Sequence, residues 1–227
     1  MKPQDTLPRL VLAAAIAGGV AYFFARDGVV PEAVSTAVKG SGVGLLAIYA
    51  ALLAKDTDGW LLALVMLLGM LGDVLLNAAG LTTGALAFLA GHLVAIVLYR
   101  RNARGPLTPR TLVAVALFVA VVTAFAAWLP GDPAQAPGIG LYSAGLTLMA
   151  ACAWLSRFPR GLVAVGALMF VVSDLLLFAR IGPLAGQAWA SLGVWSLYFA
   201  GQLMICLGVT RTLAARISAS ASDALPA

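Results

Sequence analysis

The chain has 227 residues, of which 62% are hydrophobic and 10% are charged, with a formal net charge of +5. Soluble domains carry about 25% charged residues, so this composition, with a mean hydropathy of +1.00, excludes a soluble globular protein. It predicts a polytopic membrane protein built from α-helices, which satisfy their backbone hydrogen bonds internally.

Eight segments are apolar enough and long enough to cross a bilayer as helices. In chain order they are 8–25, 32–54, 60–80, 84–99, 111–129, 138–156, 161–179 and 188–213. We interpret the first as an uncleaved helix and not as a signal peptide, because its end lacks an A-x-A-like site and further spans follow. The predicted fold is therefore all-α, with residues 1–213 as a single domain of eight transmembrane helices. Residues 214–227 are small and polar and are predicted to form a disordered tail.

The distribution of Lys and Arg predicts the orientation of the bundle. With both termini in the cytoplasm, eleven of these residues fall inside, Arg26 and Arg180 fall outside, and Lys39 lies within a span. Topology and lipid headgroups therefore explain the positive charge, and no nucleic-acid partner is predicted. Cys152 and Cys206 each lie in an apolar span and are interpreted as small core residues, not as a disulfide or a metal pair.

The third and seventh spans each contain a carboxylic acid, Asp73 and Asp174. A charged side chain at the centre of a bilayer costs about 2.5–3.5 kcal/mol on insertion scales, so each acid needs a packed polar interior or a wet cavity. Each lies thirteen residues beyond the cytoplasmic start of its span, at Trp60 or Gly161. At about 1.5 Å per residue, both are about 20 Å from that side. We therefore predict that the two acids face each other and form a catalytic site in the outer half of the membrane.

Other polar side chains fall in the same band of depth. They are Lys39, Asn77, His92, Tyr142, Ser173, Tyr198 and Gln202. We predict that these residues bind substrate beside the two acids. Alternatives stay open for each: His92 as a packing residue, Lys39 as a snorkelling side chain or a partner of an acid, and the others as hydrogen-bonding links between helices.

Several kinds of chemistry have no motif in this sequence. G-x-S-x-G, H-E-x-x-H, P-loop and G-x-G-x-x-G motifs are all missing, and one histidine cannot anchor a typical zinc site. No metal and no cofactor are therefore predicted. An intramembrane aspartyl protease would carry G-x-G-D, but Met70 stands at the first glycine position.

Short motifs in four spans point to a known family. They are LGDVLL at 71–76, GALAFLAGHL at 84–93, FVVSD at 170–174 and YFAGQ at 198–202. Together with Lys39 and Tyr142, these motifs resemble those of the YhhN-type lysoplasmalogenase family of eight-span membrane proteins, over about residues 39–208. Two positions depart from the family pattern: Gly40 replaces a frequent proline, and Ala95 replaces a common tyrosine. They affect local geometry and headgroup or chain preference and leave both acids in place.

The resemblance implies hydrolysis of the vinyl ether of a lysoplasmalogen to a fatty aldehyde and a glycerophospho-headgroup, choline or ethanolamine. Asp73 and Asp174 would act as acid and base, as carboxyl pairs do in glycoside hydrolysis, with the assignment between them open. Water and substrate would be ordered by Asn77, Tyr142, Ser173, Tyr198 and Gln202. Lys39 and His92 would hold the phosphate or tune the acids.

The resemblance also implies a lysophospholipid substrate, membrane lipids as surroundings and the bacterial inner membrane as location. The alternative function is a lipid or small-molecule transporter that uses the buried acids as a proton relay.

Overall fold

Within the part of the chain that the structure describes, eight α-helices form and no β-strand does. The computed structural model describes residues 6–26 and 28–223, excepting the side chains of 220–223. The helices are α1 (Thr6–Ala25), α2 (Glu32–Leu53), α3 (Thr57–Ala78), α4 (Leu81–Arg101), α5 (Pro109–Trp128), α6 (Ala136–Leu155), α7 (Val165–Ala179) and α8 (Ala188–Asp223). Eight segments of the described chain, α7 being taken with the turn before it, could cross a membrane by length and composition. The all-α fold and the number of spans are confirmed, while the orientation of the termini stays a prediction.

Two helices differ from their predicted bounds. Arg160–Ala164 forms a π-helical turn that leads into α7, where the sequence predicts an uninterrupted helix from residue 161. α8 continues past Leu213 to Asp223, so residues 214–223 are helical instead of disordered. This segment is rich in alanine and has no glycine or proline before Pro226, so no residue in it interrupts the helix. The rest of the predicted tail, residues 224–227, lies outside the described residues.

A tight turn joins α3, which carries Asp73, to α4, which carries His92. Gly80 stands in this turn with a φ of 88°, a left-handed conformation that glycine adopts without strain. At its other end α3 is capped by Asp56, whose side chain accepts a hydrogen bond from the Gly59 amide at 2.8 Å. The turn makes α3 and α4 antiparallel neighbours, so both helices turn polar residues toward one interior.

α8 lies in the middle of the bundle. It packs against α2, α3, α7 and the π-helical turn, while α1 packs on α2, and α4 packs on α3 and α6. α5 packs on α6 and buries only Ala126, so it lies at the periphery with its apolar side chains exposed. Because α3 and α7 both pack on α8, their acids can approach one interior region.

Two glycines set the crossing of α7 and α8. A Cβ atom added at Gly166 would lie 2.7 Å from the carbonyl oxygen of Gly201, and one at Gly201 would lie 2.6 Å from that of Gly166. Small residues of this kind let helix backbones approach closely in membranes. The contact fixes the height of Asp174 on α7 relative to Tyr198 on α8.

Polar side chains tie the bundle together at the end where α3 begins and α4 ends. Asn102 Nδ2 donates to Asp58 Oδ2 at 2.8 Å, and Arg101 Nε donates to Asp58 Oδ1 at 2.7 Å. Arg216 on α8 donates to Asn102 Oδ1 at 2.6 Å. We refer to Asp58, Arg101, Asn102 and Arg216 as the Asp58 network. Since Asp73 lies fifteen residues beyond Asp58 along α3, the acids are near the opposite end.

Candidate active site

A cavity of about 290 Å³ lies among α1, α2, α3, α4, α7 and α8, away from the Asp58 network. Both acids line it, and Asp73 and Asp174 are only 2% and 5% exposed. The other lining residues are Tyr22, Arg26, Lys39, Leu76, Asn77, Phe88, Ser173, Leu177, Arg180, Ser191, Val194, Trp195 and Tyr198. We call this space the acid cavity. Six of the nine predicted site residues line it, and Tyr142, His92 and Gln202 do not.

Asp73 is held by a hydroxyl group and an ammonium group. Tyr198 Oη donates to Asp73 Oδ2 at 2.7 Å, and Lys39 Nζ lies 3.4 Å from Oδ1. Tyr198 Oη also lies 3.4 Å from the carbonyl oxygen of Gly69. An oppositely charged neighbour at this distance favours the ionised form of a carboxyl group. The arrangement therefore suits a carboxylate at Asp73.

Lys39 is directed into the bundle. The residue is 9% exposed, and its Nζ donates to Asn77 Oδ1 at 3.4 Å in addition to the ion pair with Asp73. Asn77 Nδ2 in turn donates to Thr36 Oγ1 at 3.2 Å, which links α2 and α3. Of the roles that the sequence leaves open, the structure selects the pairing of Lys39 with an acid over snorkelling to the interface.

Asp174 has different partners. Tyr142 on α6 donates its hydroxyl to Asp174 Oδ2 at 2.5 Å, and the same hydroxyl lies 3.2 Å from His92 Nε2. Within the described residues, Asp174 makes no salt bridge with Lys or Arg. The two acids thus share one cavity but differ in charge environment. This asymmetry is the feature most useful for distinguishing an acid from a base.

His92 and Gln202 lie behind the acids, not in the acid cavity. They are 3% and 2% exposed and line a separate void of about 10 Å³ with Phe88 and Phe170, a space about large enough for one water molecule. Among the described residues, Gln202 Oε1 has no hydrogen-bond partner. The structure does not place either side chain where a ligand in the acid cavity would touch it, so direct substrate contact by His92 or Gln202 finds no support in this geometry.

Ser173 and Trp195 make hydrogen bonds between the helices that surround the cavity. Ser173 Oγ donates to the carbonyl oxygen of Val194 at 2.9 Å, which links α7 to α8. Trp195 Nε1 donates to the carbonyl oxygen of Gly19 at 2.9 Å, which links α8 to α1. Trp195 is 3% exposed, unlike an interfacial tryptophan. The sequence gives no sign of this role, because a tryptophan near a span end is ordinarily an interface anchor.

Arg26 and Arg180 are two further lining residues that sequence reasoning did not assign to the site. Each directly follows the last residue of a helix, α1 or α7, and the sequence indicates them only as the outside exceptions to the charge bias. Their place outside, where the other Lys and Arg residues are rare, was the one signal in the sequence that could have pointed to them. The structure brings both to the same cavity as the acids.

A second space lies on the other side of Tyr142. It has a volume of about 310 Å³ and runs between α4 and α6. Its lining is mostly apolar and consists of Leu81, Thr82, Ala85, Leu86, Leu89, Ala134, Gln135, Gly138, Ile139, Leu141, Tyr142 and Phe178. We call it the α4–α6 groove. Tyr142 therefore has its ring in an apolar groove and its hydroxyl on Asp174.

The described residues contain no group of three or more His, Cys, Asp or Glu side chains that could hold a metal ion. What they offer is two carboxyl groups, each bonded to a tyrosine, with a lysine beside one of them. Such a set can transfer protons and stabilise a developing positive charge.

A family model described as the YhhN family matches residues 34–209 of the chain. The matched segment begins in α2 and ends in α8, and it contains both acids and all seven other predicted site residues. No curated protein and no solved structure matches the chain.

Proposed function

Because the chain belongs to the YhhN family, we propose that it is a membrane hydrolase of the lysoplasmalogenase type. It cleaves the vinyl ether of a lysoplasmalogen to a fatty aldehyde and glycerophosphocholine or glycerophosphoethanolamine. The observation that carries the proposal is the pair of buried carboxyl groups, Asp73 and Asp174, that line one cavity in unequal charge surroundings.

The reaction requires a proton donor, a negative charge and a base. Protonation of the β-carbon of the vinyl ether produces an oxocarbenium ion on the carbon that bears the oxygen. Water adds to that carbon and loses a proton, which gives a hemiacetal. The hemiacetal collapses to the aldehyde, and its ether oxygen leaves with a proton as the glycerol hydroxyl. The net change is the consumption of one water molecule, so no oxidant, reductant or metal is needed.

The different surroundings of the two acids support a division of these roles between them. Asp174, which has a tyrosine hydroxyl as partner, donates the proton to the β-carbon. Asp73, beside the ammonium of Lys39, is the carboxylate that stabilises the cation and accepts the proton of the water. A proton then returns from Asp73 to Asp174 and restores the starting state. In other hydrolases, two carboxyl groups take different catalytic roles because their environments differ.

The two spaces beside Tyr142 accommodate the two halves of such a lipid. The headgroup and glycerol occupy the polar acid cavity, and the alkenyl chain occupies the α4–α6 groove. The vinyl ether then lies near Asp174, which lines the acid cavity, and Tyr142, which lines the groove and is hydrogen-bonded to Asp174. Apolar surface transferred from water into the groove contributes about 25 cal/mol per Å² to the free energy of binding. The groove therefore contributes affinity, and the reaction takes place at the acid cavity.

The direct test is hydrolysis of a lysoplasmenylethanolamine by the purified protein in detergent, with the fatty aldehyde as the measured product. Asp73→Asn and Asp174→Asn should each abolish aldehyde release, because each removes an ionisable group and keeps the side-chain shape. Asp132→Asn, in the exposed loop between α5 and α6, is the matched control and should retain activity. Wild-type turnover by both site variants would disprove the mechanism.

The same purified protein can distinguish the hydrolase from the transporter alternative. Reconstituted into liposomes, a transporter moves the lipid or a proton across the bilayer and breaks no bond. Aldehyde formation without transport of the lipid favours the hydrolase. Transport of intact lipid without aldehyde formation favours the transporter that uses the acids as a proton relay.

A further inference from the structure

The small void behind the acids is lined by two polar side chains that have no place in the acid cavity. They are His92 on α4 and Gln202 on α8, which are 3% and 2% exposed. Phe88 and Phe170 also line the void, so it is closed to bulk water. Gln202 Oε1 finds no partner among the described residues, and a buried polar atom in that state is costly. The volume of about 10 Å³ is about what one water molecule needs.

The hydrogen bonds of Tyr142 determine which nitrogen of His92 accepts. Tyr142 donates its single hydroxyl hydrogen to Asp174 Oδ2 at 2.5 Å, so its oxygen accepts at His92 Nε2, which is 3.2 Å away. The described residues place no carboxylate against the His92 ring, so the ring is buried as neutral imidazole, with one N–H. That N–H is on Nε2. The other nitrogen, Nδ1, is therefore an acceptor, and it remains for the void that the ring lines.

The amide group of Gln202 connects the void to the other acid. A side-chain hydrogen bond from Gln202 reaches the Tyr198 hydroxyl. Both groups face Gly69, where an added Cβ atom would lie 3.0 Å from Gln202 Nε2 and 3.5 Å from Tyr198 Oη. Tyr198 in turn donates to Asp73 Oδ2 at 2.7 Å. The nitrogen of the amide is therefore directed at Tyr198, and its oxygen remains for the void.

We propose that one water molecule occupies this void and donates its two hydrogens to His92 Nδ1 and Gln202 Oε1. Two acceptors that line one small space need a molecule with two donors, and water is the smallest that provides them. Two chains of hydrogen bonds begin at this water. One runs through His92 to the tyrosine of Asp174, and the other runs through Gln202 to the tyrosine of Asp73. Every bond in a chain is donated in the same direction, so each bond strengthens the next.

The water fixes the direction of both tyrosine hydroxyls, and the consequence for catalysis rests on the proposed function. Because Tyr142 is held as a donor to Oδ2, the proton that Asp174 gives to the vinyl ether is carried on Oδ1, the oxygen that the tyrosine does not occupy. If Tyr142 donated to His92 instead, the proton of Asp174 would be held by the tyrosine oxygen and not by the substrate. On the other chain, Asp73 is held as an acceptor. His92 and Gln202 are thus positioning residues that touch no substrate.

The water site can be tested without a substrate. His92 is the only histidine in the chain, so isotopic labelling of histidine nitrogen gives the two nitrogen signals of one known ring. NMR of the purified full-length protein in detergent then reports which nitrogen carries the proton. We expect a neutral ring with the proton on Nε2 and an Nδ1 signal shifted by an accepted hydrogen bond. A proton on Nδ1, or on both nitrogens, would overturn the inference.

Two variants remove the water in different ways. Gln202→Leu removes one of its two acceptors, and Ala95→Val fills the void, which Ala95 lines, while both polar side chains stay in place. In each, the Nδ1 signal should move to the position of a nitrogen without a hydrogen bond. The control is Gln187→Leu, at an exposed glutamine just before α8, and it should keep the wild-type signal. The same Nδ1 signal in all three variants would contradict the water site, and wild type tests the tautomer even where a variant fails to fold.

Aldehyde release measures the positioning role. Gln202→Leu and Ala95→Val should each lower kcat about twofold to tenfold, the worth of one neutral hydrogen bond. KM should stay near the wild-type value, because neither side chain touches the lipid. An unchanged kcat, or a change in KM alone, would overturn the positioning role. The expected NMR signals from a wild-type protein that releases no aldehyde would instead refute the proposed function and leave the water site standing.

Discussion

Lys39 on α2 and Asp73 on α3 form an ion pair at 3.4 Å inside a bundle of apolar helices. Asp174 in the same cavity is bonded to a tyrosine, and no salt bridge to it is formed by the described residues. The lysine thus makes two chemically identical side chains unequal. The Lys39 ammonium group is paired with Asp73 within the protein and is not directed at a ligand.

The energy of this pair can be measured with a double-mutant cycle. Lys39→Gln or Asp73→Asn alone leaves one charge buried without its partner, which costs about 3–5 kcal/mol in buried pairs. The double variant removes both charges, so it should be less destabilised than the sum of the single variants by about 1–3 kcal/mol. Unfolding in detergent measures the free energies. The pair of Arg101 and Asp58, whose side chains are 51% and 15% exposed, is the control, where the same cycle should give a smaller coupling of about 1 kcal/mol. Additive effects at Lys39 and Asp73 would contradict the pairing.

The hydroxyl of Tyr142 should matter for turnover more than for folding. Tyr142→Phe removes the hydrogen bond to Asp174 and keeps the ring, which packs edge-on against Phe178 at 5.9 Å. Asp174 becomes a carboxylate only as it gives up its proton, and a hydrogen bond to a charged group is worth about 1.5–3 kcal/mol. The hydroxyl therefore stabilises the transition state more than the resting enzyme, so kcat should fall about tenfold to a hundredfold with little change in melting temperature. Tyr99→Phe, a buried tyrosine outside the acid cavity, is the control. Equal rates for the two variants would exclude a role of the Tyr142 hydroxyl in catalysis.

The α4–α6 groove should determine which chain lengths are accepted. Gly138 lines it, and a Cβ atom added there meets nothing within 4 Å, so Gly138→Leu should fold and fill part of the groove. We expect KM to rise for long alkenyl chains and to change little for short ones. Gly161→Leu, at an equally open glycine away from the groove, should leave the chain-length profile as in wild type. An unchanged profile in Gly138→Leu would place the chain elsewhere.

The α7–α8 crossing should tolerate no added atom. In Gly166→Ala the new Cβ would meet the Gly201 carbonyl oxygen at 2.7 Å, so the helices must separate, and overpacking of this kind costs about 1–3 kcal/mol. Melting temperature and activity should fall together, since Asp174 and Tyr198 lie on the displaced helices. Gly161→Ala meets no neighbour and serves as the control. A stable and fully active Gly166→Ala would show that the crossing adjusts at no cost.

Much of the site was open to prediction because depth in a membrane is a local property. Hydropathy marks where a span lies, and the constant rise per residue converts position in the span to depth. Asp73, Asp174, Lys39 and Tyr198 were found in this way, since a polar residue in an apolar span has few reasons to be there.

Rotation about the helix axis and the choice of neighbours were not predictable by the same route. His92 lies at a depth that fits the site, yet it points behind Tyr142 and outside the acid cavity. Arg26 and Arg180 lie beyond the ends of their helices, yet they line that cavity. No pattern within one span states which face of a helix meets which other helix.

The sequence by itself determined the number of spans, the two acids and their common level, because each of these depends on the composition of one continuous segment. Only the tertiary structure decided which acid has the lysine, which tyrosine serves each acid, and which arginines join them. Those choices depend on contacts between helices distant along the chain, such as Tyr198 with Asp73 across 125 residues, and these contacts arise from the packing of the whole bundle.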